Sequence, residues 1–491
     1  MQFTSIDFAL FFALVFTVHW LLPKGVGRTC WLLGASILFY ATWSIPLAFL
    51  VCATGLLNFV VGLVLDLLGK TSRQVDELES PHLTDEPNPL ARRILLIASI
   101  TGNLGLLCYC KYANFFLDSL RSVLVAQGVS TQIPVLDILV PFGISFYTFE
   151  VISYTIDVYY RRIRAERDPV RFLLFILFFP HLVAGPIVRA GDFLPQVDRI
   201  RRLSLMRVGL GVRLFILGMF KKLAISDNMA SFSDPVFDHP ELYRGSALGF
   251  GLLAFAIRIW GDFSGYSDMA IGCAHMLGYR LTKNFNLPYL ALNISDFWRR
   301  WHISLSTWFR DYLFVPMGGS RGPFVTTARN LMVTMGLAGL WHGAHWSYVL
   351  WGVFHGLMLV LHRAFSNVVS GYPRIVWVLE SVPGKIARWM LTFLLIVLSW
   401  SLFQPDLGRS VTLLQRLFCW APGEALPMTR FYLWVTVCLV MLGHLCASRG
   451  WLTRIWKRTP ASLGGLAFAL LLICALVLAP ARNRVFIYFQ F

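Results

Sequence analysis

A succession of apolar stretches, at 5–22, 30–45, 46–68, 94–117, 135–159, 171–188, 205–225, 246–278, 327–362, 386–403, 430–447 and 463–479, constrains this chain more than any other feature. As helices, stretches of about 17–25 residues reach across the hydrocarbon core of a bilayer. Hydrophobic residues make up 57% of the 491 and charged residues only 14%, where a soluble domain carries roughly a quarter. A mean hydropathy of +0.63 agrees, and a water-soluble globule of this size is excluded. The expected fold is all-α: a polytopic membrane protein of roughly ten to twelve transmembrane helices. Some should be tilted, re-entrant or interfacial, because several stretches are too long for one span and several contain Gly or Pro. No hydrophilic stretch is long enough to fold separately, so residues 1–491 are expected to form a single membrane-embedded domain ending in an aromatic tail at 482–491. The start, Met1-Gln2-Phe3-Thr4-Ser5, has no positive region of the kind that precedes a cleaved signal, so 5–22 is expected to stay as the first span.

The formal net charge is +17, spread through short connections. Basic residues beside spans suit cytoplasmic loops and anionic lipid head groups, so membrane lipids are expected partners and nucleic acid is not. Two short basic connections, 161–167 and 199–207, are both placed on the cytoplasmic side by the positive-inside rule. The segment between them, with Pro180, His181, Gly185 and Pro186, should then enter and leave on one side as a broken or re-entrant element. The acidic, proline-containing stretch 70–93 reads as a solvated loop. Nine cysteines show no metal-ligand spacing, and most lie in apolar runs where Cys is a small hydrophobe, so neither a metal nor a disulfide framework is expected. Phosphate loops, nucleotide fingerprints, zinc-protease motifs and Gly-x-Ser-x-Gly elbows are missing, which argues against ATPase and hydrolase chemistry. The chain also lacks the internal repeat of many carriers.

An ionisable side chain in an apolar span is costly unless it is paired or faces a cavity, so intramembrane His and Asp are pointers to function. The densest group is Gly339-Leu340-Trp341-His342-Gly343-Ala344-His345-Trp346, with His355 and His362 beyond it. His342 stands out as a candidate base. The competing reading is a packed histidine satisfied by a neighbouring helix. At 100° per residue, 295–315 forms a helix with Trp298, Trp301, His302, Leu305, Trp308, Phe309 and Tyr312 on one side. Arg299, Arg300, Arg310 and Asp311 lie on the other, a distribution that equally suits an interfacial anchor. Ser295, Asp296 and Asn293 offer capping chemistry at its start, and Gly318-Gly319 ends the pattern. The polar insertion Asp262 to Asp268 reads as the caps of a broken helix.

Taken in order, several blocks resemble one family, the membrane-bound O-acyltransferases, and within it the bacterial branch of alginate O-acetylation. They are Pro141-Phe142-Gly143-Ile144-Ser145-Phe146-Tyr147, then Phe179-Pro180-His181 through Gly185-Pro186, then Asp262 to Gly272. Asn284-Phe285-Asn286 with Pro288-Tyr289 follows, then Asp296 to Trp308 continuing through Arg310-Asp311-Tyr312 to Gly318-Gly319, and finally Trp341-His342-Gly343. Leu287 stands where relatives often carry a small polar residue.

The resemblance implies a fold with a central tunnel and an O-acyltransferase activity, specifically an O-acetyltransferase of the bacterial inner membrane serving an exopolysaccharide such as alginate. It implies His342 as the membrane-embedded catalytic histidine and His302 as the second catalytic polar residue. Arg299, Arg300, Arg310, Asp311 and Trp341 become candidates for binding or positioning the donor, although the arginines suit lipid phosphates equally. No bound cofactor is implied. The donor would be acetyl-CoA or another acyl thioester, and a periplasmic or membrane-anchored polysaccharide O-acetyltransferase would complete delivery. The C-terminal tail resembles that of bacterial relatives, which makes Tyr488 a candidate acyl carrier. Rival readings are a transporter and a scaffold subunit of a polysaccharide secretion complex.

Overall fold

A computed structural model describes residues 1–23, 25–69, 88–129, 132–182, 185–199, 202–426, 428–481, 484 and 486–487. Its regular elements among these residues are helices, with one isolated bridge between Tyr243 and Glu424. Among the described residues six segments are long and apolar enough to cross a membrane: Ile45–Leu68, Pro89–Ala126, Gly245–Met276, Trp346–Val369, Val382–Leu402 and Arg430–Ser448. Three shorter apolar helices, Ile6–Leu21, Val26–Ala41 and Ala461–Val477, join them. Leu10, Leu14, Phe49, Leu394, Leu442 and Leu470 are among the many apolar side chains left exposed. In water such a surface would drive aggregation, whereas hydrocarbon is the solvent it matches.

The chain divides into two compact units, Met1–Gly211 with Cys273–Thr282, and Val212–Gly272 with Lys283–Phe491. In the first, polar side chains join helices where lipid offers no partner. Asn58 and Asn103 exchange side-chain hydrogen bonds at 2.8 and 3.0 Å, and Ser99 donates to Asn58 at 3.2 Å. Bonds of this kind between membrane helices contribute about 1 kcal/mol each. The 171–188 segment is broken, as its Pro and Gly content suggests, into the short helices Pro169–Leu177 and Phe179–Leu182. His181 lies 3.2 Å from the Glu150 carboxylate, which also accepts the Val188 backbone N–H at 3.0 Å.

In the second unit two expectations need correction. Asp262 to Asp268 caps nothing: the helix runs unbroken from Gly245 to Met276. Lysines satisfy both carboxylates, Lys222 bonding Asp262 at 2.7 Å and Lys221 bonding Asp268 at 2.6 Å. Nor is 295–315 one helix. It divides into Ile294–Arg300 and Ile303–Phe309, followed by a π-helical turn at Arg310–Phe314. The break falls at His302, whose φ of +43° no helix interior tolerates. Trp301 and Leu305 are fully buried, so this segment is core rather than an interfacial anchor. Of the 70–93 loop, 70–87 lies outside the described residues, and helix Pro89–Leu107 begins within its last few positions.

Leu287 is another non-glycine residue in the left-handed region, at φ +52°. A branched side chain there costs about 1 kcal/mol, which short polar residues largely avoid. Leu287→Asn is therefore expected to raise thermal stability by about 0.5–1 kcal/mol, read as a higher unfolding midpoint in detergent.

Candidate active site

His342 is the last residue of helix Phe324–His342, which lies antiparallel to Trp346–Val369 across a short turn. The two helices meet backbone to backbone at Gly339 and Gly352. A methyl group built on Gly339 would lie 2.1 Å from the Tyr348 carbonyl, and one on Gly352 would lie 2.2 Å from the Met335 carbonyl. Small residues let membrane helices approach this closely. The contact seats the His342 ring among Trp341, Trp351 and Phe403, with centroids 5.1, 5.1 and 5.2 Å away. Only 3% of His342 is exposed. Gly339→Leu is expected to force the helices apart and lower stability by about 2–4 kcal/mol, with activity lost as a consequence. Thermal unfolding followed alongside turnover checks this.

His302 is fully buried, and the Asn284 block sets its position. The Asn284 carbonyl accepts the Ile303 N–H at 2.9 Å, and its side-chain oxygen accepts the Ser304 hydroxyl at 2.6 Å. The side-chain amide of Asn284 donates to Ser267 on the long Gly245–Met276 helix at 3.3 Å. These bonds hold the strained turn, and the His302 ring projects to within 6.4 Å of His342 and 5.9 Å of Trp341. Burial lowers its pKa to about 3, so the imidazole stays neutral at working pH.

The structure thus brings His302 to the neighbouring pair Trp341 and His342, from which the sequence separates it. The other candidates lie elsewhere. Arg299 and Arg300 reach the carboxylate of Asp296, at 3.6 and 3.0 Å. Arg310 bonds Asp311 at 2.7 Å, and the side chains of Arg299 and Arg310 are mostly exposed. His355 is a buried core residue, with Nε2 3.1 Å from the Ser399 hydroxyl. His345 is exposed at the start of its helix, and His362 is half-buried on the same helix.

The sequence marks the C-terminal tail but not where its residues pack. Phe486 and Ile487 pack into this unit, 4% and 2% exposed. Phe486 stacks on Tyr266 at 4.7 Å and lies 6.0 Å from Phe263, and Phe263 in turn meets the His302 ring edge-on at 4.6 Å. The Ile487 N–H donates to Asp262 at 2.6 Å, and Lys222 joins Asp262 to Asp227. Arg484 and Arg258 share the Asp234 carboxylate. Lys222 at the edge of an apolar run was the available signal, because a charge there needs partners. Tyr488 itself lies outside the described residues.

Comparison with known proteins decides the family. The sequence model of the membrane-bound O-acyltransferase family matches residues 156–403. The probable alginate O-acetylase AlgI of Pseudomonas aeruginosa is 39% identical over 406 residues, covering 83% of this chain and 72% of that protein. The chain belongs to the membrane-bound O-acyltransferase family. The acyltransferase is also 34% identical to the peptidoglycan O-acetyltransferase of Helicobacter pylori, over 76% of this chain and 70% of that protein. With the teichoic acid D-alanyltransferase of Bacillus subtilis it shares 28% identity over 46% of its length and 59% of that protein's. The matched region contains both histidines, the Asn284 block and the break at His302. This multi-pass membrane protein is therefore an O-acyltransferase.

Proposed function

We propose that this acyltransferase, working as one catalytic unit from 1 to 491, draws an acetyl group from a cytoplasmic thioester such as acetyl-CoA. It passes the group through a tunnel across the bacterial inner membrane for O-acetylation of an exopolysaccharide such as alginate. His342 acts as general base and His302, held neutral, positions the thioester, with Trp341 closing that side. Arg299, Arg300, Arg310 and Asp311 guide the donor from the exposed rim. Tyr488 receives the acetyl group. Its phenolic oxygen attacks the thioester carbonyl as His342 takes the phenol proton. The C–S bond then breaks, the thiolate leaves and recovers the proton, and an acetyl-tyrosine ester remains. A periplasmic or membrane-anchored O-acetyltransferase partner moves the acetyl group to the sugar hydroxyl.

One observation carries this reading: the two residues preceding Tyr488 are buried, and Phe486 is separated from His302 by the single ring of Phe263. The test is to give purified protein isotope-labelled acetyl-CoA and recover the C-terminal peptide. Labelled ester on Tyr488, released by hydroxylamine, is expected. An unlabelled peptide beside active turnover would exclude the carrier role.

A further inference from the structure

The first unit carries a cavity of about 790 Å³, well within the size range of ligand clefts. Among the described residues four arginines line it, Arg199, Arg202, Arg207 and Arg280, with Asp192 as the one carboxylate. No ion pair engages these four guanidiniums among the described residues, whereas Arg162 and Arg171 of the same unit are paired with Asp157 and Asp198. These described lining residues therefore carry three net positive charges. Guanidinium groups stay charged at any working pH, and their forked donors match phosphate oxygens two at a time.

The wall of this cavity is built rather than draped. Gln196 grips the backbone of Arg280 in both directions: its side-chain oxygen accepts the Arg280 N–H at 2.9 Å, and its amide donates to the Arg280 carbonyl at 2.9 Å. The same amide donates to the Asp192 carbonyl at 2.8 Å. Beside Arg280, the Tyr279 ring stacks on Phe193 at 5.3 Å and 12°. Phe193 belongs to the helix Ala190–Val197 and packs against Phe178 and His181, the latter held by Glu150. A rigid mount of this kind spares an incoming anion the cost of ordering the site.

We propose that this cavity is a phosphate-binding site that takes the phosphates of the acyl donor. A lipid phosphodiester offers the same oxygen chemistry but only one negative charge. The surplus of three positive charges suits a ligand with several phosphates, such as a coenzyme A thioester. The inference deepens the acetyl-transfer reading and rests on it for the donor's identity, while phosphate binding stands by itself.

Calorimetry of the full chain in phosphatidylcholine nanodiscs tests it, with coenzyme A as the probe and pyrophosphate as competitor. Wild type is expected to bind coenzyme A, pyrophosphate to displace it, and the affinity to fall with added salt. Arg202→Ala/Arg280→Ala should weaken binding about tenfold or more. Arg202→Lys/Arg280→Lys should fall between, since it keeps point charges and loses the forks. Unfolding midpoints close to wild type show that the variants are intact. Equal affinity in wild type and the double alanine variant overturns the proposal, as does failure of pyrophosphate to compete. Nanodiscs containing phosphatidylglycerol form the lipid arm: coenzyme A binding that persists there supports the donor assignment. Binding abolished there, and present only in neutral lipid, assigns the site to lipid head groups and overturns it. His342→Ala should bind coenzyme A like wild type, so failure of the acyl-transfer reading and failure of this site give different results.

Discussion

His342→Ala is expected to lower acetyl transfer by about a thousandfold while the protein remains folded, since a positioned general base contributes on the order of 10²–10⁴. Tryptophan and phenylalanine rings surround His342 on several sides, and these remain after the substitution. The void left costs stability by about 1–3 kcal/mol, so the variant should unfold earlier but cooperatively. His342→Gln separates the two effects. Its amide fills most of the space and still hydrogen-bonds, but it cannot carry a proton, so it should be as inactive as alanine and more stable. Turnover of labelled thioester in nanodiscs, beside unfolding midpoints, reads both. His355 serves as the contrast: it too is buried and within 5 Å of Trp351, but it is committed to Ser399. His355→Gln should change stability and leave the chemistry within about threefold. Rates alike for His342→Ala and wild type would move the base elsewhere.

How much of this arrangement is legible in the sequence depends on the range of the forces involved. Apolar length and the excess of hydrophobic residues identify helices in a membrane because lipid acts on each segment alone. Gly339 and Gly352 could be noticed, but that they face each other across two helices follows only from packing. The 295–315 segment shows where periodicity misleads. Its aromatic side is real, yet the helix stops at His302 because Asn284, in an earlier block, takes up the freed Ile303 N–H and the Ser304 hydroxyl. A turn secured from elsewhere in the chain leaves no local trace. The Asp262 to Asp268 insertion fails in the opposite sense: carboxylates within an apolar run suggest a helix end, while Lys222, Lys221 and the Ile487 N–H neutralise them in mid-helix. The ordered blocks nevertheless mark the place, since Asp262, Asn284, His302 and His342 all contribute to one core.

Tyr488→Phe removes a single oxygen and keeps the aromatic volume, so the prediction it carries is sharp. Delivery of acetyl groups to the acceptor should fall by about a hundredfold or more, because a phenyl ring offers no nucleophile. Coenzyme A binding and the unfolding midpoint should stay at wild-type values. The approach of the tail can be tested separately through Asp262, whose carboxylate holds the Ile487 N–H at 2.6 Å and shares Lys222 with Asp227. Asp262→Asn retains an oxygen that can accept from Ile487 but loses the charge, and a hydrogen bond to a charged group is worth about 1–2 kcal/mol more than a neutral one. The tail should then leave its seat more often, with acetylation of Tyr488 slowed about tenfold. Asp227, still bonded to Lys222, limits the loss of stability. Because Asp262 acts by holding the tail, high concentrations of a synthetic peptide matching residues 482–491 should be acetylated faster by Asp262→Asn than by wild type, whose own tail occupies the seat. A peptide acetylated equally by both would mean that the bond at Asp262 is structural and that the acyl group leaves the histidine core by another route.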